Sequence, residues 1–427
     1  MAKIKPFRAL RYTAAAGAPA DLCCPPYDII SEEQRRQLLQ KNSHNLVRLE
    51  LPRTEHPYRD AAVTLRSWLD DGLLAEDAQE GLYIYEEAFS VAGRQYALRG
   101  FIALVRLSEF SEGIVLPHEE TLSKAKQDRF DLMTETGCSF SQIYSLYRDE
   151  GGQVRDTVNR LSAGQSEIEF TDGEGVTHRL WSVYDPQAQE QLAALMADKK
   201  LYIADGHHRY ETALNFARAN ARDLSDDNDR LNYCMMMLVD MENSGLVVFP
   251  THRVLHSLPD FDAERALQSC SEHFDIRRGL DRAQAEAALA NAAAADQKAF
   301  IFYAGEDFCL LTLKDAAVMR QVLPDKSDAY RNLDVSVLHS LLLERLFGID
   351  RENMANQKNL FYTRIADEAV AAVDGKKADC CFLINATRVD EIRRVAAAGE
   401  KMPQKSTYFY PKLITGLVMN DFRPPRA

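Results

Sequence analysis

No stretch of this 427-residue chain is apolar over the roughly 20 residues that a membrane-spanning helix needs, so no spanning segment is expected. Positive charge is in deficit: 51 Lys and Arg against 64 Asp and Glu leave a formal net charge of −13. That balance argues against a general nucleic-acid binder, which presents a basic face. It leaves room for a small anionic ligand, since a local basic pocket can sit on an acidic body. Metal-type or disulfide-type cysteine spacing is missing too. The eight cysteines are scattered, and the adjacent pairs Cys23-Cys24 and Cys380-Cys381 suit neither staples nor zinc. Reduced, structural cysteines and a cytoplasmic location are expected. The first 22 residues hold no continuous apolar core followed by a cleavage site, so no secretory leader is predicted. No internal repeat or low-complexity tract is visible.

What is present reads as a mixed α/β (α+β) protein. Hydrophobic residues make up 46% of the chain and charged ones 27%, which is ordinary for a globular body long enough for two or three domains. Residues 81–89 and 94–107 predict two strands around an Ala92-Gly93 turn. Residues 60–71 predict a helix with Ala61, Leu65, Trp68 and Leu69 on one face and Gly72 at its end. NYCMMMLVD (232–240) and GLVVFP (245–250) are apolar enough for central strands, the methionines serving as core filler. Beyond about His256 alanine-rich helices alternate with short strands, and residues 333–349 predict an amphipathic helix stopped by Gly348. Two domains are expected, 1–255 and 256–427.

Residues 201–214, LYIADGHHRYETAL, carry the most chemistry. Leu201-Tyr202-Ile203-Ala204 predicts a buried strand, Asp205-Gly206 a turn, and His207-His208-Arg209 the start of a helix. Tyr210, Ala213, Leu214 and Ala217 give that helix an apolar face. A strand, glycine turn and helix start aim backbone N–H groups and a dipole at an anion. A plainer reading makes Asp205 an N-cap and leaves the histidines facing solvent. A second stretch, GIVLPHEET (113–121), runs a strand into Pro117-His118-Glu119-Glu120, where a carboxylate can act as a general base or simply favour a helix start. GLVVFP ends in Thr251-His252-Arg253, again polar groups just past a strand. In MPQKSTYFYPKLITG (402–416), Lys405, Ser406 and Thr407 can grip phosphate by charge and hydroxyl hydrogen bonds, or form an ordinary exposed loop.

PFRALR near the start, CPPYD, LPHEET followed by KxDR, YxLYxD, IADGHHRYETAL, GLVVFPTHR, LDVSVLH and MPQKSTYFYPKLITGLV, in this order, resemble the DUF1015 family of bacterial and archaeal proteins. The resemblance runs from the first residues to about Val418. The Asp205–Arg209 segment is more distantly similar to that of free L-serine kinases with a ParB/sulfiredoxin-like fold. Pro117-His118-Glu119 is similar to their P-H-E segment, and Gln404-Lys405-Ser406-Thr407 is loosely similar to their P-K-T-T segment, with Gln404 in place of the proline. This sequence departs from them in size, with more chain between Glu119 and Asp205 and a long N-terminal part.

The resemblance implies a ParB/sulfiredoxin-like nucleotide-binding core with large N-terminal and C-terminal additions, and a final Lys-Ser-Thr loop that returns to the site. It implies a small-molecule kinase that uses Mg²⁺ with ATP or ADP and a hydroxyl metabolite, free L-serine being one candidate. In that reading Glu119 is the general base, with Asp205 and His207 also catalytic. Gly206, His207, His208, Arg209, Lys405, Ser406 and Thr407 bind phosphate, Asp205 holds Mg²⁺ or orients a histidine, and His118, His252 and Arg253 support the substrate. No membrane or nucleic-acid partner is expected, and an oligomer is compatible with the sequence. Two other readings stay open. One is a metal-dependent hydrolase with Asp205, His207, His208 and Glu119 as ligands, although adjacent histidines at a helix start rarely both reach one metal. The other is a non-catalytic, nucleotide-switched ParB-like binding protein, which the absence of a basic recognition helix weighs against on DNA.

Overall fold

The computed structural model describes residues 2–121, 123–221, 223 and 225–423. The fold is mixed α/β, and the chain divides into two compact units. The first comprises Met1–Pro117, Thr121–Val247 and Pro411–Ala427; the second comprises His118–Glu120 and Val248–Tyr410. Two short segments group with the unit other than that of the chain around them, 118–120 with the second and 411–427 with the first. Pairing explains the C-terminal one. Cys24 N donates to Thr415 O at 3.1 Å and Leu10 N to Met419 O at 2.9 Å, while Asn420–Asp421 pairs with Cys138–Ser139. Backbone hydrogen bonds of this kind hold a terminus that would otherwise fray.

The first unit is built on a nine-stranded sheet. Leu201–Asp205 lies parallel to Val115–Leu116 and antiparallel to Ile143–Tyr147. Tyr233–Asp240 follows, parallel to Ile143–Tyr147 and antiparallel to Arg94–Arg106. The hairpin Leu82–Val91 with Arg94–Arg106 forms as its sequence predicts. Its turn residues Ala92 and Gly93 both take positive φ, 49° and 77°, the twist that a two-residue hairpin turn requires. Every residue of Tyr233–Asp240 is buried, the three methionines included. A strand covered on both faces reads as a continuous apolar run rather than an alternating one.

The helix His207–Asn220 packs beside Ser123–Thr136. It buries the expected face, Tyr210, Ala213, Leu214 and Ala217. Tyr210 also donates from its hydroxyl to Ser108 O at 2.8 Å. Burying a side chain the size of Leu214 contributes about 2 kcal/mol, so this face fixes where the helix start sits on the sheet. All eight cysteines are buried and unpaired with one another.

The second unit holds a six-stranded sheet in the order Phe274–Leu280, Phe308–Leu313, Ala299–Tyr303, Cys380–Leu383, His252–Leu255 and Leu360–Thr363. Each neighbouring pair is antiparallel. Arg282–Ala294 and Ala366–Asp374 bury Ala285, Leu289, Ala369 and Val373 against it. Residues 333–349 differ from the single amphipathic helix expected. Asp334–Val337 is α-helical, Leu338–Glu344 is a π-helix, and Arg345–Phe347 returns to α before Gly348 closes it at φ 65°. Apolar periodicity cannot distinguish these windings over so short a span.

Candidate functional site

In the first unit the site is the turn between Leu201–Asp205 and His207–Asn220. Gly206 makes that turn at φ 90°, ψ 29°, a left-handed conformation that costs other residues roughly 1–2 kcal/mol. A Cβ at Gly206 would lie 2.9 Å from Arg209 Nε. Gly206, not Asp205, is the N-cap residue, and Asp205 ends the strand. Its carboxylate ties two cations together. Oδ2 accepts from Arg209 Nη2 at 2.7 Å, and Oδ1 pairs with Lys412 Nζ. Burial alone would raise the Asp205 pKa, but Lys412, Arg209 and nearby His207 hold it well below the usual carboxylate range. Arg209 Nη1 also donates to the backbone carbonyl of Gln142, so the guanidinium is clamped between strand end and loop. His207 is buried and His208 half-buried at the helix N-terminus.

Arg209 also lines a cavity of about 50 Å³ together with Arg129, Glu50, Ser141, Phe140 and Phe216. Glu50 is buried and accepts from Ser141 Oγ at 3.0 Å, with Arg129 Nη1 3.6 Å away. Burial raises its pKa, while Arg129 and Arg209 oppose the rise. Tyr27 of the CPPYD segment lies against the Arg129 guanidinium, 4.0 Å from ring centroid to Cζ. That rigid proline segment therefore buttresses the helix carrying Arg129.

In the second unit the P-H-E segment and the Lys-Ser-Thr loop meet. Lys405 N donates to Glu119 Oε1 at 3.3 Å, Met402 N donates to His118 O at 2.7 Å, and His118 Nε2 lies 3.0 Å from Thr407 Oγ1. Lys405 takes φ 56°. Ser406 turns inward, donating to Pro403 O, and its carbonyl accepts from Thr387 Oγ1 at 2.7 Å. Arg253 is fully buried and braces the same loop, Nη2 donating to Lys405 O at 3.1 Å. His252 accepts from Ile384 N at 3.2 Å, and burial followed by its neighbour Arg253 pushes its pKa down to about 4.

Among the described residues, no group of three His, Cys, Asp or Glu side chains is placed to hold a metal ion. Both Asp205 oxygens are already ion-paired, so this carboxylate does not fit the role of a Mg²⁺ ligand. Lys412, Gln142, Glu50 and Arg129 took no part in the sequence-based site. Lys412 sits in the quoted PKLITG segment, but a linear pattern does not show which buried carboxylate a lysine reaches.

The sequence matches the family described as protein of unknown function (DUF1015) over residues 4–336. The chain belongs to the DUF1015 family. No curated protein matches it in sequence. Its fold is similar to a conserved hypothetical protein from Pyrococcus furiosus (13% identity, 71% of this chain and 88% of that one, TM-score 0.34). It is also similar to a free serine kinase in complex with AMP (14%, 71% and 85%, 0.36). A third likeness is to SbnI with C-terminal truncation from Staphylococcus aureus (11%, 74% and 86%, 0.35). No helix among the described residues of this DUF1015 protein is long and apolar enough to cross a membrane.

Proposed function

We propose that this chain is a small-molecule kinase that transfers a phosphoryl group from ATP or ADP to the hydroxyl of a small metabolite, with free L-serine among the acceptors. The observation that carries this reading is the left-handed turn at Gly206, where a helix starts beside the Asp205-bound pair of cations, Arg209 and Lys412. Phosphoryl transfer is mostly positioning and charge neutralisation, with one group to orient or deprotonate the acceptor. Gly206 lets a phosphate chain approach the backbone, and the N–H groups of the first helical turn, His207 and His208 meet its oxygens. Asp205 acts by holding Arg209 and Lys412 in place.

Glu119 is the general base in this reading, and Lys405 supplies a further positive charge. The hydroxyls of Ser406 and Thr407 brace the loop through Pro403 and His118. His252 and Arg253 support it from beneath. A carboxylate base placed within hydrogen-bond reach of the attacking hydroxyl contributes typically 10²–10⁴-fold.

The test is incubation of the full chain with labelled ATP or ADP, Mg²⁺ and a panel of hydroxyl metabolites including L-serine. Label appearing in one acceptor supports the kinase. Clear nucleotide binding with no transfer to any acceptor favours a nucleotide-switched binding protein. Stoichiometric Zn, Mn or Fe in protein purified without added metal favours a hydrolase.

A further inference from the structure

The second unit contains a cavity of about 100 Å³ that none of the roles above uses. Ser336 of the α-helical Asp334–Val337 and His339, Ser340 and Glu344 of the π-helical Leu338–Glu344 line it. π-helical turns are rare and are frequently found at functional sites. Two features make this one unusual. Ser336 Oγ is buried and has no hydrogen-bond partner among the described residues, an unfavourable state for a hydroxyl that a bound ligand would relieve. Behind the cavity stands Arg253, fully buried, with no ion pair to a carboxylate among the described residues.

Arg253 donates to His339 Nε2 from Nε at 3.3 Å and from Nη2 at 3.2 Å. A guanidinium has no lone pair to offer, so Nε2 is the acceptor and the imidazole proton sits on Nδ1. His339 is thereby fixed as a neutral N–H donor. Burial, and then Arg253, push its pKa well below the ordinary value.

The rim adds Lys326, Arg351 and Lys401 against two carboxylates, Glu120 and Glu344. Three side-chain cations thus face two carboxylates in the lining, with Lys326 also 3.7 Å from Glu400 Oε1. That volume is well above the roughly 10–15 Å³ that a single water needs, and it suits a molecule of a few carbons. Glu120 follows Glu119 in sequence, and Pro403-Gln404, which also line the cavity, lead into Lys405, whose N–H meets the Glu119 carboxylate.

We propose that this pocket binds a small carboxylate bearing a hydroxyl, with the carboxylate on the Ser336–His339 wall and the Arg351 side, and the polar substituent toward Glu120. As the acceptor subsite it rests on the kinase reading; as a carboxylate site it stands without it. Hydroxy acids and hydroxy amino acids share the chemistry, and Glu120 and Glu344 accept equally from a hydroxyl or an ammonium.

The test is calorimetric titration of the full chain, without nucleotide, with glycerate, L-serine, glycerol, ethanolamine and inorganic phosphate. Saturable binding of glycerate or L-serine, and of neither glycerol nor ethanolamine, is expected; the tighter of the two identifies the source. Arg351→Met should weaken that binding about tenfold, the usual worth of a charge-assisted hydrogen bond. Ser336→Ala should weaken it severalfold without lowering Tm, because it removes an unpaired group. The inference is overturned if neither carboxylate binds at millimolar concentration, if phosphate alone binds, or if both variants bind as the parent does. Carboxylate binding with no phosphoryl transfer would leave this site standing and remove the kinase assignment.

Discussion

Arg209 Nη2 lies 2.7 Å from Asp205 Oδ2, one helical turn along and across the left-handed Gly206. With Lys412 on the other carboxylate oxygen, Asp205 organises two cations that are separated by about 200 residues of chain but converge on one turn. Both cations are mostly buried, at 12% and 13% side-chain exposure.

Removing the shared anion leaves two buried positive charges beside each other. Asp205→Asn is expected to destabilise the fold by about 3 kcal/mol, the low end for breaking a buried pair. Urea denaturation measures it. The same variant should lose nucleotide binding, because Arg209 and Lys412 are no longer held.

A second prediction concerns Gly206→Ala. The positive φ costs roughly 1–2 kcal/mol, and the new methyl contacts the Arg209 guanidinium at 2.9–3.0 Å. A modest fall in Tm and a weakening of nucleotide affinity of about tenfold are expected, since 1.4 kcal/mol is a factor of ten. Fluorescent-nucleotide titration against the parent reads the second effect.

Glu87 gives the fold a pH dependence. It is fully buried, accepts from Tyr85 Oη at 2.9 Å, and Tyr85 Oη in turn lies 2.8 Å from His178 Nδ1, with Asp172 on the other imidazole nitrogen at 3.2 Å. Burial pushes its pKa up from 4.5 to about 7, against the opposing pull of His178 and Tyr85. A raised carboxyl pKa means the folded state favours the protonated form. Its contribution is present below pH 4.5 and is lost as pH rises toward 7, by roughly 3 kcal/mol. Asp205 has the opposite sign: its contribution is present above the ordinary carboxylate pKa and is lost only at lower pH. Chemical denaturation at pH 5 and pH 8 should show a smaller difference for Glu87→Gln than for the parent.

Ser406 Oγ donates to Pro403 O, inside a loop whose Ser406 carbonyl is held by Thr387. Ser406→Ala should therefore cost about 1 kcal/mol of stability, the net worth of one hydrogen bond. It should change nucleotide affinity less than Lys405→Ala does. Paired thermal melts and nucleotide titrations separate the two effects.

Local features were legible wherever one residue dictates them. The Ala92-Gly93 turn and the buried stripe of His207–Asn220 both follow from sequence spacing. So does the strand, glycine turn and helix start at residues 201–209. Partners far apart in sequence were not legible. Lys412 on Asp205, Arg253 on His339, and the return of Pro411–Ala427 to the first unit depend on tertiary pairing that periodicity does not encode. The π-helical winding at Leu338–Glu344 was hidden for a different reason: its apolar residues fit an α-helix equally well.

Glu119→Gln tests the central claim most directly, with phosphoryl transfer and nucleotide Kd measured on the same preparation. Transfer is expected to fall roughly 10²–10⁴-fold, the range for a lost general base, with Kd close to that of the parent. Transfer at the parental rate, or nucleotide binding lost together with transfer, would contradict it.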